Sequence, residues 1–154
     1  MIEIEEVSLS NINDFWNVHI NYLIDDEMIS DEEIRYFSGR DYRGVLEDHM
    51  IRDNDKQHMA HFIRDGKRIG AVSYCTYQSE DGKCFILDFW VFQEFRGNGT
   101  GHKCFETFEK YTRLDGAQYY ELNSSKENSV RFWKSIGFIE AGKDEYDMLL
   151  FRKL

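Results

Sequence analysis

Cys84 to Phe92 is nearly continuously apolar, broken only by Asp88, and it leads straight into Gln93-Glu94-Phe95-Arg96-Gly97-Asn98-Gly99-Thr100-Gly101. A strand without polar alternation has to be covered on both faces, so this run predicts a central strand and commits the rest of the chain to two covering layers. Beyond the glycines, Cys104, Phe105, Phe108 and Tyr111 fall at helical spacing to about residue 114, which reads as an amphipathic helix packed back on that strand.

The flanking segments supply the layers. Ile2, Ile4 and Val7 alternate as a first strand, Ser10-Asn11 is an N-cap candidate, and Ile12, Phe15, Trp16, His19, Tyr22 and Leu23 form one apolar stripe of a helix over residues 11 to 24. An acidic connection follows, and a second helical region with Ile34, Phe37, Leu46 and Met50 runs to about residue 52, with breaks expected at Gly39 and Gly44. Asp65-Gly66 sits between two strand-like runs and predicts a hairpin, with a second turn at Asp81-Gly82. Tyr119 to Leu122 is a further short strand. Ser124-Ser125-Lys126-Glu127 has the form of a capping box for a helix carrying Val130, Trp133 and Ile136 and closed by Gly137, before strands at roughly 138–142 and 146–152. The order β-α-α-β-β-β-α-β-α-β-β predicts one domain over residues 1–154, with a mixed α/β (α+β) sheet and helices on both faces.

Charge and cysteine usage narrow the function classes. A formal net charge of −10 with no basic stripe argues against nucleic acid as a partner. Cys75, Cys84 and Cys104 cannot all pair and the N-terminus is acidic, which points to a reducing cytoplasm. The most apolar stretch falls far short of the roughly 20 residues needed to span a bilayer, so no membrane role is expected. His58-x-x-His61 lacks partners for a tetrahedral metal site, and no metal is expected.

Chemistry concentrates in the glycine-rich turn, where backbone amides at a helix N-terminus suit phosphate. A P-loop is excluded because no Lys follows a glycine at its spacing. A dinucleotide fingerprint is excluded because His102 or Cys104 stands where its third glycine belongs. What remains is Arg-x-x-Gly-x-Gly, filled by Arg96, Gly99 and Gly101, and here the chain resembles the GCN5-related N-acetyltransferase (GNAT) family. A second landmark is in register: Asn128-Ser129-Val130-Arg131-Phe132-Trp133-Lys134-Ser135-Ile136-Gly137-Phe138 is similar to the family's helix ending in an aromatic pair, three residues and Gly-Phe. The motifs occupy about residues 87 to 138, and residues 1 to 57 match only in outline.

The resemblance implies a mostly antiparallel sheet of six to seven strands flanked by about four helices, and an acetyl-CoA-dependent N-acetyltransferase acting without a covalent enzyme intermediate. It implies that Arg96, Gly97, Asn98, Gly99, Thr100 and Gly101 receive the pyrophosphate, with Arg96 serving either that group or the 3′-phosphate. Phe89, Val91, Asn128 and Phe132 would line the path of the acetyl-CoA arm, and a backbone N–H at Val91 or its neighbour would face the oxyanion. Trp133 occupies the place where many relatives carry a tyrosine acid, and indole is a donor but not a usable acid; it is either a site residue or core. Asp88, the one ionisable side chain in the central strand, is either the general base or the holder of a structural hydrogen bond. Six carboxylates between residues 25 and 33 favour a small cationic amine as acceptor. A protein N-terminus or lysine as acceptor, or a non-catalytic acyl-CoA-binding module, remain alternatives. A homodimer is compatible with the aromatic content and the family's habits.

Overall fold

Asp65 and Gly66 both adopt left-handed backbone, φ 53° and 75°, the two-residue turn that matches the twist of an antiparallel pair. They join β2 (Gln57–Arg64) to β3 (Lys67–Thr76), and the Gly82 turn (φ 83°) leads on to β4 (Lys83–Val91). The structure, a computed structural model, describes residues 1–154. Its remaining elements are β1 (Ile2–Glu6), α1 (Ile12–Asp25), α2 (Asp31–Phe37), α3 (Arg40–Met50), α4 (Thr100–Leu114), β5 (Tyr119–Asn123), α5 (Glu127–Ser135), β6 (Ile139–Lys143) and β7 (Leu149–Lys153). The seven strands form one sheet in the order β1-β2-β3-β4-β5-β7-β6. Every pairing is antiparallel except β4 with β5. The apolar run is therefore the middle strand, as its lack of alternation requires.

Two features of β4 shape the molecule. Its parallel pairing with β5 is confined to Lys83–Phe85 against Tyr119–Glu121, although β4 runs on to Val91, so the two strands part and a cleft opens between them. Farther along, Ser73 pairs with Asp88 but Tyr74 pairs with Ile86, which leaves Leu87 as a bulge. An extra residue reverses the facing of everything after it. Before the bulge Cys84 and Ile86 face the core formed with Phe105 and Phe108 of α4 and Trp133 of α5; after it Val91 faces that core and Phe89 packs against it. Asp88 and Trp90 consequently turn to the opposite layer, where Trp90 packs with Ile12, Phe15 and Trp16 of α1 and Leu46 of α3.

Several local expectations are corrected. The second helical region breaks once, around Ser38–Gly39, while Gly44 stays inside α3, giving five helices. Asn11 is the N-cap residue of α1 but makes no side-chain cap bond. The predicted capping box at Ser124 does not form. Helix α5 begins at Glu127 with Lys126 as N-cap, so the acid falls at the first helical position instead of the third and cannot reach back. The reciprocal arrangement belongs to α2, where the Ser30 backbone N–H donates to Glu33 Oε1 at 2.9 Å. Gly137, with φ 106°, does terminate α5, and Phe138 N–H returns to Trp133 O at 3.0 Å. No helix is long and apolar enough to cross a membrane.

Two glycines separate packing from propensity. A Cβ on Gly70 would overlap the Trp90 carbonyl oxygen of the neighbouring strand, whereas one on Gly44 would make only ordinary contact with the Arg40 side chain. Gly70→Ala should cost about 1–3 kcal/mol through overpacking. Gly44→Ala should add about 0.5–1 kcal/mol by restricting the unfolded chain and favouring helix. Opposite displacements of the urea midpoint at unchanged slope are the expected readout.

Candidate active site

After β4 the chain makes a 3-10 turn, Gln93–Phe95, and then three successive left-handed residues: Gly97 (φ 92°), Asn98 (φ 55°) and Gly99 (φ 74°). Asn is among the few side chains that tolerate this region. Left-handed residues ahead of a helix turn backbone amides into an anion-binding concavity, and Gly99 is the N-cap of the 15-residue α4. Nothing lies within 4 Å of where a Cβ on Gly97 or Gly99 would sit, so the space before the turn is open. Thr100 Oγ1 donates to Gly97 O at 2.9 Å and closes the turn from behind. Gly101 has a different reason to lack a side chain, since a Cβ there would lie 2.7 Å from the Phe132 ring.

The turn forms one end of a cavity of about 660 Å³ that fills the parting between β4 and α5. Phe89, Val91, Arg96, Gly97, Gly99, Thr100 and Gly101 line it from the strand and turn, and Asn128, Phe132 and Trp133 line it from α5. Asn98 stands outside its wall. Asp88 lines an adjoining cavity of about 270 Å³ that shares Tyr22, Met28, Phe89, Lys126, Ser129 and Trp133 with the first. Of the twelve candidates read from the sequence, ten line the larger cavity, Asp88 lines the adjoining one and Asn98 lines neither.

Arg96 is the clearest departure. Its Nε donates to Val91 O at 2.7 Å and its Nη2 pairs with the Asp26 carboxylate, while the side chain stays 43% exposed on the cavity wall. Gln93 Nε2 reaches Asp26 Oδ1 at 2.9 Å, and from the opposite bank Lys126 Nζ donates to Asp26 O at 3.0 Å and Glu27 O at 2.6 Å. The acidic α1–α2 connection is thereby strapped across the cleft mouth. Trp133 is 7% exposed and edge-packed on Phe132, Phe138 and Phe89 with centroids 4.9, 5.1 and 5.2 Å away; it belongs to the core and contributes a wall.

Asp88 meets a residue the sequence did not single out. Its Oδ2 lies 3.0 Å from His19 Nε2, and His19 is 1% exposed. Tyr22, one turn farther along α1, stacks on Trp90 at 4.3 Å with an interplanar angle of 2°. Burial, then the charges of Asp88 and Asp26, push the Tyr22 phenol up, so it is a donor of hydrogen bonds and a poor source of protons. Both residues were visible only as a helical stripe, which reads as packing; the separation of 69 positions between His19 and Asp88 leaves no local signal. The remaining histidines are not assembled into a site. His102 is within 3.0 Å of Ser135 Oγ, His58 pairs with Glu6 at 3.1 Å, and burial pushes His61 down to about 4. No group of three or more His, Cys, Asp or Glu is arranged to hold a metal ion.

The sequence profile described as the Acetyltransferase (GNAT) family matches residues 20–138, well over half of the chain. The chain belongs to the GNAT family. As a GNAT acetyltransferase it is an enzyme that draws its acetyl group from acetyl-CoA. Solved structures agree on the fold. The PaiA N-acetyltransferase of Thermoplasma acidophilum in complex with coenzyme A is 18% identical, with a TM-score of 0.72 over 99% of this chain and 98% of that one. A putative acetyltransferase of Bacillus subtilis is 13% identical, with a TM-score of 0.74 over 94% and 96%. An aminoglycoside acetyltransferase from an uncultured soil metagenomic sample, solved with sisomicin, is 17% identical, with a TM-score of 0.59 over 88% and 86%. No curated protein matches the sequence.

The packing of Trp133 within this GNAT core has a measurable cost. Trp133→Tyr removes one ring of a side chain wedged among three phenylalanines, and incomplete collapse around the void should lower stability by roughly 1–2 kcal/mol. A urea titration that returned wild-type stability would contradict the packing.

Proposed function

We propose that the enzyme transfers acetyl directly to a primary amine of a small cationic metabolite, with Asp88 receiving the ammonium and its proton. The observation that carries the cosubstrate half is the left-handed run Gly97–Gly99 with open space before it at the head of α4, a cradle that fits a pyrophosphate. Phe89, Val91 and Phe132 would flank the arm reaching inward, and Asn128 stands beside it on α5. Coenzyme A supplies an activated thioester; the chain's own groups do the rest. Three carboxylates, Asp25, Asp26 and Glu27, line the larger cavity, and a field of that sign concentrates cations. The acidic connection is tied to both banks of the cleft by Arg96 and Lys126, an arrangement that suits a compact acceptor better than a polypeptide lying through an open groove. A reducing cytoplasm suits the three free, buried thiols Cys75, Cys84 and Cys104.

Presenting an amine of pKa near 10.4 as its free base at pH 7 costs roughly 4.6 kcal/mol. Asp88 offsets part of this by taking the proton as the amine attacks, beside the apolar walls of Leu87, Phe89 and Trp133. A backbone N–H at Val91 or its neighbour, where β4 has left its β5 partner, is the donor available to the developing oxyanion. No strong acid waits for the leaving sulfur, because Trp133 is an indole and Tyr22 is pushed up. A thiol of pKa about 8.5 leaves without one.

Acetyl-CoA should raise the melting temperature of the wild type, since it binds the folded state. Gly99→Val should abolish that rise, while Gly142→Val should preserve it. Both glycines have positive φ and no atom within 4 Å of a Cβ, so backbone strain is matched and only proximity to the cradle differs. For the acceptor, thiol release across polyamines, aminoglycosides, amino acids and peptides should favour the polycations, with kcat/KM falling as salt rises. Turnover confined to peptides would overturn the small-amine reading.

A further inference from the structure

We propose that His19 is a positioning residue for acetyl transfer: fixed in its Nε2–H tautomer within an aromatic cage, it holds one oxygen of Asp88 and leaves the other to meet the acceptor amine. The inference rests on the acceptor role given to Asp88 above.

The tautomer follows from accounting for both ring nitrogens. Nε2 lies 3.0 Å from Asp88 Oδ2, whereas Nδ1 is buried and has no hydrogen-bond partner. A proton on Nδ1 would be a buried donor left unsatisfied, and a carboxylate facing a bare Nε2 would be two acceptors in contact. A proton on Nε2 removes both penalties and leaves only the smaller cost of an unpaired Nδ1 lone pair. Phe15 and Tyr42 lie nearly parallel to the ring, with centroids 6.0 and 5.9 Å away and interplanar angles of 16° and 10°. Trp16 meets it edge-on at 5.6 Å and Trp90 leans on it at 5.8 Å.

With Nδ1 buried and bonded to no other group of the protein, His19 has no partner to which it could pass a proton. What it does is fix direction. The Leu87 bulge has already turned Asp88 toward α1, and the Nε2–H bond holds Oδ2 there. Oδ1 has no hydrogen-bond partner in the protein, and the residue lines the smaller cavity beside Tyr22, Phe89 and Trp133. One carboxylate oxygen is thus anchored to the scaffold and the other is available to an ammonium.

The test uses the intact enzyme and the best amine of the acceptor panel. His19→Phe keeps the stack and deletes the donor, and should lower kcat/KM for the amine roughly 10- to 100-fold, the scale of a misplaced catalytic group. The melting shift caused by acetyl-CoA should stay at its wild-type size. His19→Gln, whose amide N–H reaches the place of Nε2, should recover activity to within about fivefold of wild type if orientation is what His19 supplies. In a His19→Phe/Asp88→Asn double variant the losses should not multiply, because the two residues act as one unit. Full turnover by His19→Phe while Asp88→Asn is inactive would overturn the role of His19 alone. Full turnover by Asp88→Asn would overturn the acceptor reading and this inference with it. Should His19→Phe fail to fold, long-range ¹H–¹⁵N NMR of the wild type decides: an Nε2–H ring supports the proposal, and an Nδ1–H or doubly protonated ring at neutral pH overturns it.

Discussion

The parting of β4 from β5 after three paired residues is the constraint on which the rest of this molecule depends. In a sheet closed throughout, the middle strand would spend its backbone on both neighbours and the cleft between β4 and α5 would not exist. Here β4 keeps β3 along its whole length and gives up β5 beyond Phe85, so a stretch of main chain in the centre of the fold faces a cavity. Three aromatic side chains answer that gap. Phe89, Phe132 and Trp133 cover a place where a strand would otherwise lie, and Gly101 lets the Phe132 ring come within contact of the turn.

The bulge at Leu87 is the second decision made by β4. Strict alternation would send Asp88 to the face of Cys84 and Ile86, among Phe105, Phe108 and Tyr120, where an ionised group has nothing to bond. One extra residue moves it to the layer of α1, where His19 is waiting. A single insertion in register therefore separates an apolar core that holds the sheet from a polar dyad that borders the cleft. It also explains why the same short strand serves two layers of different chemistry.

Much of this was legible in the sequence because it is local. Asp65-Gly66 specifies its own turn, the apolar run announces a buried strand, and the spacing of Arg96, Gly99 and Gly101 marks the cradle together with the helix that follows. What escaped the sequence is long-range or depends on register. The Ser-x-x-Glu pattern occurs at Ser124 and at Ser30, and only the true start of each helix decides which one caps. The Leu87 bulge leaves no compositional trace, so the facing of Asp88 and its bond to His19 could not be deduced. Arg96 was read through its motif as a phosphate ligand, and its pairing with Asp26 in the distant acidic connection is declared by nothing in either segment alone.

The strap across the cleft is held in an unusual division of labour. Lys126 grips main-chain oxygens of Asp26 and Glu27, and Gln93 also touches the Asp25 carbonyl, while of the side chains in this loop only Asp26 is engaged by Arg96. The Asp26 carboxylate, 15% exposed, also accepts from Gln93 Nε2, so the hold on the loop is shared between its peptide groups and this one side chain. Asp25, Glu27 and Met28 therefore border the cavity without being needed to keep the loop in place. Under the function proposed above, such an arrangement would make acceptor preference heritable separately from donor recognition: a lineage could exchange these side chains and test new acceptors while the sheet and the glycine turn are carried forward unchanged.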